Sequence, residues 1–429
     1  MNAASDSPKG SPFAVASIIL STGLVAIGNG LMFAFIPVRL AADGFDPAWA
    51  GSILTALSAG GMAGCLFTNP VIRRVGHARA YMAFSGLIIL SNALLAMTAD
   101  PAYWLAARML YGFAINALFI ISQSWLNDAV ANAVRGRVMA AFYVTYIVGL
   151  GTGALVMGAI DITANAAPVI GIAFAALSLL PVGLTRLAVP AAPASGTISL
   201  KRAWRISPVA LVGMAAVGGM SMLVGGFTPI HLSAAGYGKQ DLAWLMFLMP
   251  LGTIIIQGPS SWISDRMDRR YVLIAISLLS AASGLFALGA EGAAILVLIP
   301  IYMLWDGATE TIYSIANAQA GDRAQRHDQV MMSSTLLFVW SSSAFLAPGL
   351  ATLLTTRFGT MAFMPLAIGL ALIYAVFALW RLMQSKPADH PPATDFAPHP
   401  MGAPSLADLP EPEKPAGIAR TLAGKKSLS

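Results

Sequence analysis

Charged residues are scarce in this sequence. Asp, Glu, Lys and Arg make up 10% of the 429 residues, whereas 57% are hydrophobic. A soluble domain normally carries about 25% charged residues, so water cannot be the only solvent of this chain. Because a helix needs about 20 mostly apolar residues to cross a bilayer, the sequence predicts an all-α membrane protein. Twelve spans are predicted, at 13–40, 48–70, 79–98, 101–126, 138–160, 166–187, 208–234, 240–263, 271–289, 293–319, 330–355 and 360–382.

Cysteine is almost absent, and so are the motifs of enzymes. The single cysteine, Cys65, excludes an intrachain disulfide framework. No Gly-rich phosphate loop is present, so ATP is not expected to drive the protein directly. The five histidines are scattered, and no two have the spacing of metal ligands on a helix. The first apolar stretch is too long for a cleavable signal peptide. We therefore expect no enzymatic activity, no metal and no cofactor.

The positive charges lie on one side of the predicted topology. If the N-terminus is cytoplasmic, 21 of the 25 Lys and Arg residues fall in cytoplasmic loops and tails. This matches the positive-inside rule, which places both termini in the cytoplasm. The net charge of +6 then reflects the excess of basic residues in the cytoplasmic loops and tails, which orients the protein in the membrane. No aromatic and basic platform accompanies it, so nucleic acid is not an expected partner.

The two halves of the chain repeat each other. "FAFIPVRLAADGF" (33–45) aligns with "VGGFTPIHLSAAGY" (224–237) at an offset of 192 residues. Six spans are an even number, so both halves enter the membrane in the same sense. Parallel repeats are typical of two-bundle transporters that bind substrate near the midplane. The predicted organisation is a cytoplasmic tail, a six-helix bundle, a cytoplasmic linker, a second six-helix bundle and a disordered cytoplasmic tail, at 1–12, 13–187, 188–207, 208–384 and 385–429.

Two acidic residues remain inside the predicted spans. Asp306 and Glu310 lie one turn apart in the tenth span, with Asp306 roughly 20 Å deep. Charged residues at this depth cost roughly 2.5–3.5 kcal/mol on insertion scales, so they usually face a cavity. Two neighbouring carboxylates cannot both ionise cheaply there, which favours a protonatable pair or a cation-binding pair. A structural role, capping backbone or pairing with Arg108, is the alternative.

Polar residues concentrate in a subset of the spans and predict a central cavity. Each of them could instead make a helix–helix hydrogen bond or, for the tryptophan, fill the core, and the arginine could extend towards the membrane surface. The candidate substrate-cavity residues are Asn29, Arg108, Asn116, Gln123, Tyr143, Tyr146, Gln257, Tyr302, Trp305, Tyr313 and Asn317.

Two loops carry related basic motifs. "SWISDRMDRR" (261–270) follows the eighth span, and "NPVIRRVGHAR" (69–79) follows the second. Acids alternating with arginines suit charge-assisted hydrogen bonds that hold one helix end to its neighbour in one conformation and release it in another. A basic loop that merely anchors the topology is the alternative.

With "RMLYGFAIN" (108–116) and "RGRVMAAFY" (135–143), these loops resemble the major facilitator superfamily, over about residues 13–384. The resemblance implies two six-helix bundles that work by alternating access. It assigns gating to the two loops, at Arg73, Arg74, Gly76, Arg79, Asp265, Arg266, Asp268, Arg269 and Arg270. Arg73 departs from the family, which has an aspartate there, so we expect the first half to be held less firmly. The proline that the family's antiporters carry beside the glycines of the fifth span is also missing.

The sequence thus predicts a secondary transporter of a small solute, coupled to a proton gradient through Asp306 and Glu310, with efflux favoured. A uniporter or uptake carrier, in which the acids hold a cationic substrate, is one alternative. A non-transporting receptor or assembly factor on the same scaffold is another. "QSWLN" (123–127) is similar to a poorly characterised bacterial branch, which implies the bacterial inner membrane. The expected partners are the solute and the lipid bilayer, and the expected state is a monomer.

Overall fold

The computed structural model describes residues 12–130, 132–184 and 198–384, and over this part of the chain the regular structure is helical. Outside the described residues lie 1–11 of the predicted tail at 1–12, 185–187 at the end of the predicted sixth span, 188–197 of the predicted linker, and the predicted tail at 385–429. Twelve helices are long and apolar enough to cross a membrane, which confirms the predicted spans. We label them α1 to α12, with the bounds Phe13–Ala42, Pro47–Val75, His77–Met97, Pro101–Leu126, Gly136–Ala159, Ala166–Leu184, Pro208–Ala234, Lys239–Ser264, Arg269–Gly289, Ile295–Arg323, Gln329–Phe358 and Thr360–Gln384.

Helix α7 contains a π-helical segment that the sequence analysis did not predict. It consists of an α-helix, Pro208–Ser221, a π-helix, Met222–Phe227, and a second α-helix, Thr228–Ala234. Pro229 lacks a backbone N–H and so cannot close the hydrogen bond that a regular helix would require at this point. Single π-turns are frequent at functional sites, where they change the direction of a helix.

Helix α8 is broken in its middle. Its first part, Lys239–Leu248, ends just before Pro250, and its second part, Leu251–Ser264, begins just after it. The missing N–H of the proline and the clash of its ring explain the break. The apolar run at 240–263 predicts one continuous span and gives no sign of this break.

Helix α11 is continuous through "WSSSAF" (340–345), a polar stretch within its apolar run. The helix extends without interruption over Gln329–Phe358. The Ser342 hydroxyl donates a 2.8 Å hydrogen bond to the carbonyl oxygen of Phe338, four residues earlier. Such bonds satisfy a hydroxyl inside the helix, so the serines do not end it.

Glycines pack the equivalent helices of the two halves in the same way. A Cβ at Gly60 of α2 would meet the carbonyl oxygen of Met109 in α4. A Cβ at Gly252 of α8 would meet the carbonyl oxygen of Met303 in α10. Gly60 and Gly252 are separated by 192 residues, the offset of the sequence repeat. The repeat therefore describes a shared packing of backbones and not only a shared hydropathy.

A short helix in the predicted linker contacts the second half. It comprises Leu200–Ile206. Arg202 pairs with Asp328 at 2.7 Å, and the ring of Trp204 lies 6.0 Å from that of Phe377 between centroids. We call the side of the membrane that carries this helix the linker side, and the opposite side the far side.

The two halves contact each other more closely on the far side. Helices α1 and α2 pack against the far-side piece of α7, Thr228–Ala234, and α5 packs along Lys239–Leu248 of α8. On the linker side, α5 has little contact with Leu251–Ser264. The space between the halves is thus closed towards the far side.

Candidate functional site

A cavity of about 300 Å³ lies between the two halves. Four helices of each half contribute to its wall: α1, α2, α4 and α5 from the first, and α7, α8, α10 and α11 from the second. Its lining consists of Asn29, Gly30, Phe33, Leu57, Ser58, Gly61, Met62, Gly112, Ile115, Asn116, Phe119, Tyr143, Tyr146, Ile147, Leu150, Ala154, Ser221, Met222, Gly225, Met246, Met249, Pro250, Thr253, Asp306, Glu310, Trp340, Ser341 and Ala344.

The acidic pair of α10 lies in this wall. Asp306 and Glu310 are 5% and 8% exposed, and both line the cavity. The Ser221 hydroxyl, which adjoins the π-helical segment of α7, is hydrogen-bonded to Glu310. The Oε2 atom of Glu310 is buried without a hydrogen-bond partner among the described residues. A buried carboxylate oxygen with no partner is costly, so the site favours a proton or a cation at this position.

Arg108 does not neutralise the acidic pair. Its guanidinium stacks over the ring of Tyr111, 4.2 Å from the centroid, and it is not part of the cavity lining. The side chain is 1% exposed, and its NH1 atom lacks a hydrogen-bond partner among the described residues. The pairing of Arg108 with a carboxylate of α10, which the sequence left open, is therefore not found in this conformation.

Four of the predicted cavity residues line the cavity beside the acids. Asn29 donates a 3.5 Å hydrogen bond to the Tyr146 hydroxyl. Asn116 donates to the Gly61 carbonyl oxygen at 2.8 Å. The fourth residue, Tyr143, lies within electrostatic range of both carboxylates. These side chains place hydrogen-bonding groups of the first half in the same cavity as the acids of the second.

The remaining polar candidates of the second half lie outside the cavity lining. Gln257 donates a 2.7 Å hydrogen bond to the Ser314 hydroxyl, which joins α8 to α10. Asn317 donates to the carbonyl oxygen of Tyr313, in its own helix, at 3.2 Å. These amides act in this conformation as structural hydrogen bonds.

The aromatic candidates of α10 are also placed away from the cavity. The ring of Trp305 stacks on that of Phe363 of α12 with 6.0 Å between centroids. The ring centroid of Tyr302 lies 5.8 Å from that of Trp305. Tyr313 contacts the edge of Trp340, which does line the cavity. Gln123 of α4 is fully buried outside the lining, and neither of its amide atoms has a partner among the described residues.

The apolar part of the wall was not predicted. It includes four methionines, two phenylalanines and a tryptophan: Met62, Met222, Met246, Met249, Phe33, Phe119 and Trp340. The only signal in the sequence is the total of 21 methionines, which does not tell which of them face the cavity. The side chain of Cys65 also contributes to the contact between the halves, because its Sγ lies 3.2 Å from the Ser341 hydroxyl.

The loop after α8 forms an ion-pair network within the second half. Arg269 contacts Asp265 at 2.9 Å and Asp322 of α10 at 2.6 Å. Asp268 caps α9 by accepting from the backbone N–H of Arg270, and it pairs with the Arg270 guanidinium at 2.6 Å. Burial by itself would raise the pKa of Asp268, but the hydrogen bonds and charge of Arg270 outweigh it and hold the pKa below its ordinary value. Arg266 lies over the ring of Trp262, with its Cζ atom 3.8 Å from the centroid.

The loop after α2 has no comparable network. Arg73, Arg74 and Arg79 are exposed, and no hydrogen bond or ion pair joins them to another described residue. Gly76 is the single residue between α2 and α3, and its φ of +81° favours glycine. His77, 192 residues before Arg269, reaches α4 through a 3.1 Å hydrogen bond between its Nε2 and the Ser124 hydroxyl. The first half thus has a buried hydrogen bond at the position where the second half has an ion pair.

No group of three or more His, Cys, Asp or Glu side chains that could hold a metal ion occurs among the residues that the structure describes. The chemistry of the site rests on its two carboxylates and on the hydroxyl and amide groups that face them.

Comparison with known proteins places the fold. The uncharacterized MFS-type transporter YcaD of Escherichia coli (strain K12 / DH10B) is 23% identical over 369 residues, which are 85% of this chain and 94% of the relative. YcaD of Shigella flexneri is similar to the same extent. The crystal structure of the POT family transporter PepTSo has a TM-score of 0.70 at 14% identity and covers 87% of this chain and 99% of its own. The nucleoside transporter NupG has a TM-score of 0.69 at 13% identity and covers 87% and 100%.

The sequence model of the Major Facilitator Superfamily matches residues 18–239 and again residues 209–423. The two matches overlap at residues 209–239, and each covers about one half of the chain, as expected for two repeated halves. The protein therefore belongs to the major facilitator superfamily.

Proposed function

We propose that this protein is a proton-coupled secondary active transporter that moves a small solute across the membrane by alternating access. The observation that carries the proposal is the acidic pair, Asp306 and Glu310, in the wall of a cavity between two repeated halves. Twelve apolar helices and the family support an integral membrane protein that is a secondary transporter. The linker side carries most of the basic loops, so we assign it to the cytoplasm. By analogy with its relatives, we assign the protein to a bacterial inner membrane, where it would act as a monomer.

The packing supports an inward-facing state. The halves are in contact on the far side, which under the proposed topology is the outer side. Lys239 of α8 donates a 2.7 Å hydrogen bond to the Ile160 carbonyl oxygen at the end of α5, and Gln240 donates to Gly158 at 2.8 Å. These bonds close the outer end of the cavity and would have to break for the outward-facing state to form.

Coupling follows from the cost of burying charge. An ionised carboxylate deep in the membrane costs roughly 2.5–3.5 kcal/mol, and the described residues of the lining include no basic side chain that would offset this cost at Asp306 and Glu310. The empty, fully ionised cavity is therefore unfavourable to close on both sides. A proton on the pair removes one of the two negative charges, which lowers this cost and allows the halves to exchange conformations. The change between inward-facing and outward-facing states is in this way coupled to transfer of the proton.

The test is transport driven by a pH gradient in proteoliposomes. A thermal-shift screen of the purified protein against a solute library first identifies solutes that bind, and uptake into proteoliposomes then shows which of them is transported. Asp306→Asn and Glu310→Gln are expected to abolish its accumulation against a concentration gradient, while exchange of labelled for unlabelled solute partly survives. Glu291→Gln, the same change at an exposed residue outside the cavity, is the matched control. If both cavity variants still concentrate the solute to the wild-type level, proton coupling through this pair is wrong.

A further inference from the structure

We propose that the substrate is an amphiphilic organic cation, whose positive group binds between Asp306 and Glu310 and displaces the proton held there. This inference rests on the proposed function, because it names the class of solute that the same cavity carries. It makes the protein an antiporter in which proton and substrate compete for one site.

The charge of the cavity selects the sign of the substrate. Among the described residues that line the cavity there is no Lys, Arg or His, and the carboxylic acids are Asp306 and Glu310. Arg108, the basic residue that the sequence places within a span, is stacked on Tyr111 outside the lining. A carboxylate or phosphate substrate would find two acids and no cation, and like charges in low dielectric repel strongly. A cation finds an unpartnered carboxylate oxygen at Glu310.

The rest of the wall selects an apolar body for the substrate. Four methionines line the cavity together with several aromatic rings, and methionine adapts to ligands of irregular shape. Trp340 lies in the wall, and the edge contact with Tyr313 at 6.4 Å between centroids limits its rotation. Aromatic faces also attract cations, by about 0.5–2 kcal/mol depending on desolvation. A strongly hydrated inorganic ion or a sugar would leave this surface without a matching partner.

The volume of the cavity limits the size of the substrate. The cavity of about 300 Å³ is at the lower end of the range of about 300–1,000 Å³ for small-molecule sites. It suits a molecule of one or two rings with a single charged group. The Asn116 amide and the hydroxyls of Tyr143 and Tyr146 can then orient polar substituents from the opposite half.

Competition at the pair determines the direction of coupling. A bound cation offsets one negative charge of the pair as a proton does, so either species allows the loaded cavity to change sides. Binding of one lowers the affinity for the other by the same factor, since linkage is reciprocal. With protons in excess outside, each turn of the cycle carries a proton inwards and a cation outwards. No bond other than the carboxyl O–H is formed or broken.

The experiment compares two probes of the same shape and opposite charge. The naphthylmethyl trimethylammonium ion and naphthylmethanesulfonate share a ring system and a tetrahedral head group, and binding of each to the full-length protein in nanodiscs is measured by calorimetry. We expect the cation to bind and the sulfonate not to bind. We expect the cation's Kd to rise up to tenfold per unit fall in pH, with about one proton released on binding in weakly buffered solution. Empty nanodiscs correct for partitioning into lipid.

Variants tie the binding to the acidic pair. Asp306→Asn and Glu310→Gln should weaken cation binding at least tenfold and remove its pH dependence, while Glu291→Gln binds as the wild type does. The wild-type comparison of the two probes needs no variant and so does not depend on variants that fold. Equal or tighter binding of the sulfonate, no binding of the cation, or binding of the cation without proton release would each overturn the substrate class. If an anionic or neutral solute is still accumulated by a pH gradient, the proposed function stands while this inference fails.

Discussion

Gly60 and Gly252 occupy the same position in the two halves, each against a backbone carbonyl of the fourth helix of its bundle. The partners are Met109 and Met303. Close approach of backbones is how helices associate in a membrane, where lipid is as apolar as the protein core and hydrophobic burial gives little gain. These two positions are therefore expected to be the tightest points of the second-to-fourth helix crossings.

We expect Gly60→Ala and Gly252→Ala to destabilise the protein by similar amounts. The added methyl group would overlap a carbonyl oxygen, and overpacking of this kind costs roughly 1–3 kcal/mol. Gly86→Ala and Gly369→Ala are matched controls, because no atom lies within 4 Å of a Cβ at either position. Thermal unfolding of the purified variants measures the difference. Equal melting temperatures for the crossing and control variants would contradict the close packing.

Lys239→Met should favour opening on the far side. The substitution removes the 2.7 Å hydrogen bond from Lys239 to the Ile160 carbonyl oxygen. It also removes a positive charge near the C-terminal end of α5, where the helix dipole of α5 favours a cation. We expect a loss of about 1 kcal/mol for this partly exposed bond, equivalent to a roughly fivefold shift in population. The readout is the labelling rate of an Ala243→Cys reporter by a membrane-impermeant maleimide in a Cys65→Ala background. Ala243 is fully buried between the halves.

Arg357→Met is the control for this prediction. Arg357 is an exposed far-side cation in the last turn of α11, with no hydrogen bond or ion pair to another described residue. It should leave the labelling rate unchanged. A Lys239→Met protein that labels no faster than this control would mean that the bond does not contribute to closure.

Because Arg269 pairs with both Asp265 and Asp322, the losses of stability caused by substituting these two acids should depend on each other. Either acid alone still holds the guanidinium, so Asp265→Ala and Asp322→Asn should each lower stability by less than about 1 kcal/mol. Removing both leaves a buried arginine, 6% exposed, without either partner, and the double variant should lose more than the sum.

The measurement is a double-mutant cycle by thermal unfolding, with transport assayed in parallel. We expect Asp265→Ala to slow transport without abolishing binding, because the network biases the populations of the two states rather than the site. Additive losses of stability would show that the two ion pairs act separately. Unchanged accessibility of engineered linker-side cysteines in Asp265→Ala would argue against a gating role.

Arg73→Asp should shift the protein towards the outward-facing state. The exposed arginine stands where the repeat places Asp265, and it has no partner among the described residues. An aspartate could pair with neighbouring basic residues and hold the linker side closed, as the resemblance to the family implies. Distances between spin labels on the far-side ends of α1 and α7 should then lengthen. Arg74→Asp, one residue along, is the control, and distances that stay the same or shorten in Arg73→Asp would leave Arg73 as a topological anchor alone.

The sequence by itself determined the features that depend on local composition and spacing. Twelve apolar stretches, the offset of 192 residues and the two acids one turn apart are all visible without a structure. Membrane spans are long and uniformly apolar, so their number follows directly from length and hydropathy. The position of Asp306 and Glu310 on one helical face follows from the 3.6-residue period alone.

Only the tertiary structure decided which side chains face the cavity. Asn29 and Asn116 line it, whereas Gln257 and Asn317 bond within the second half. The physical reason is that lipid and protein core are both apolar, so hydropathy hardly indicates how a helix is rotated about its axis. That rotation is set by the packing of neighbouring helices, which likewise placed Arg108 on Tyr111 and four methionines in the cavity wall.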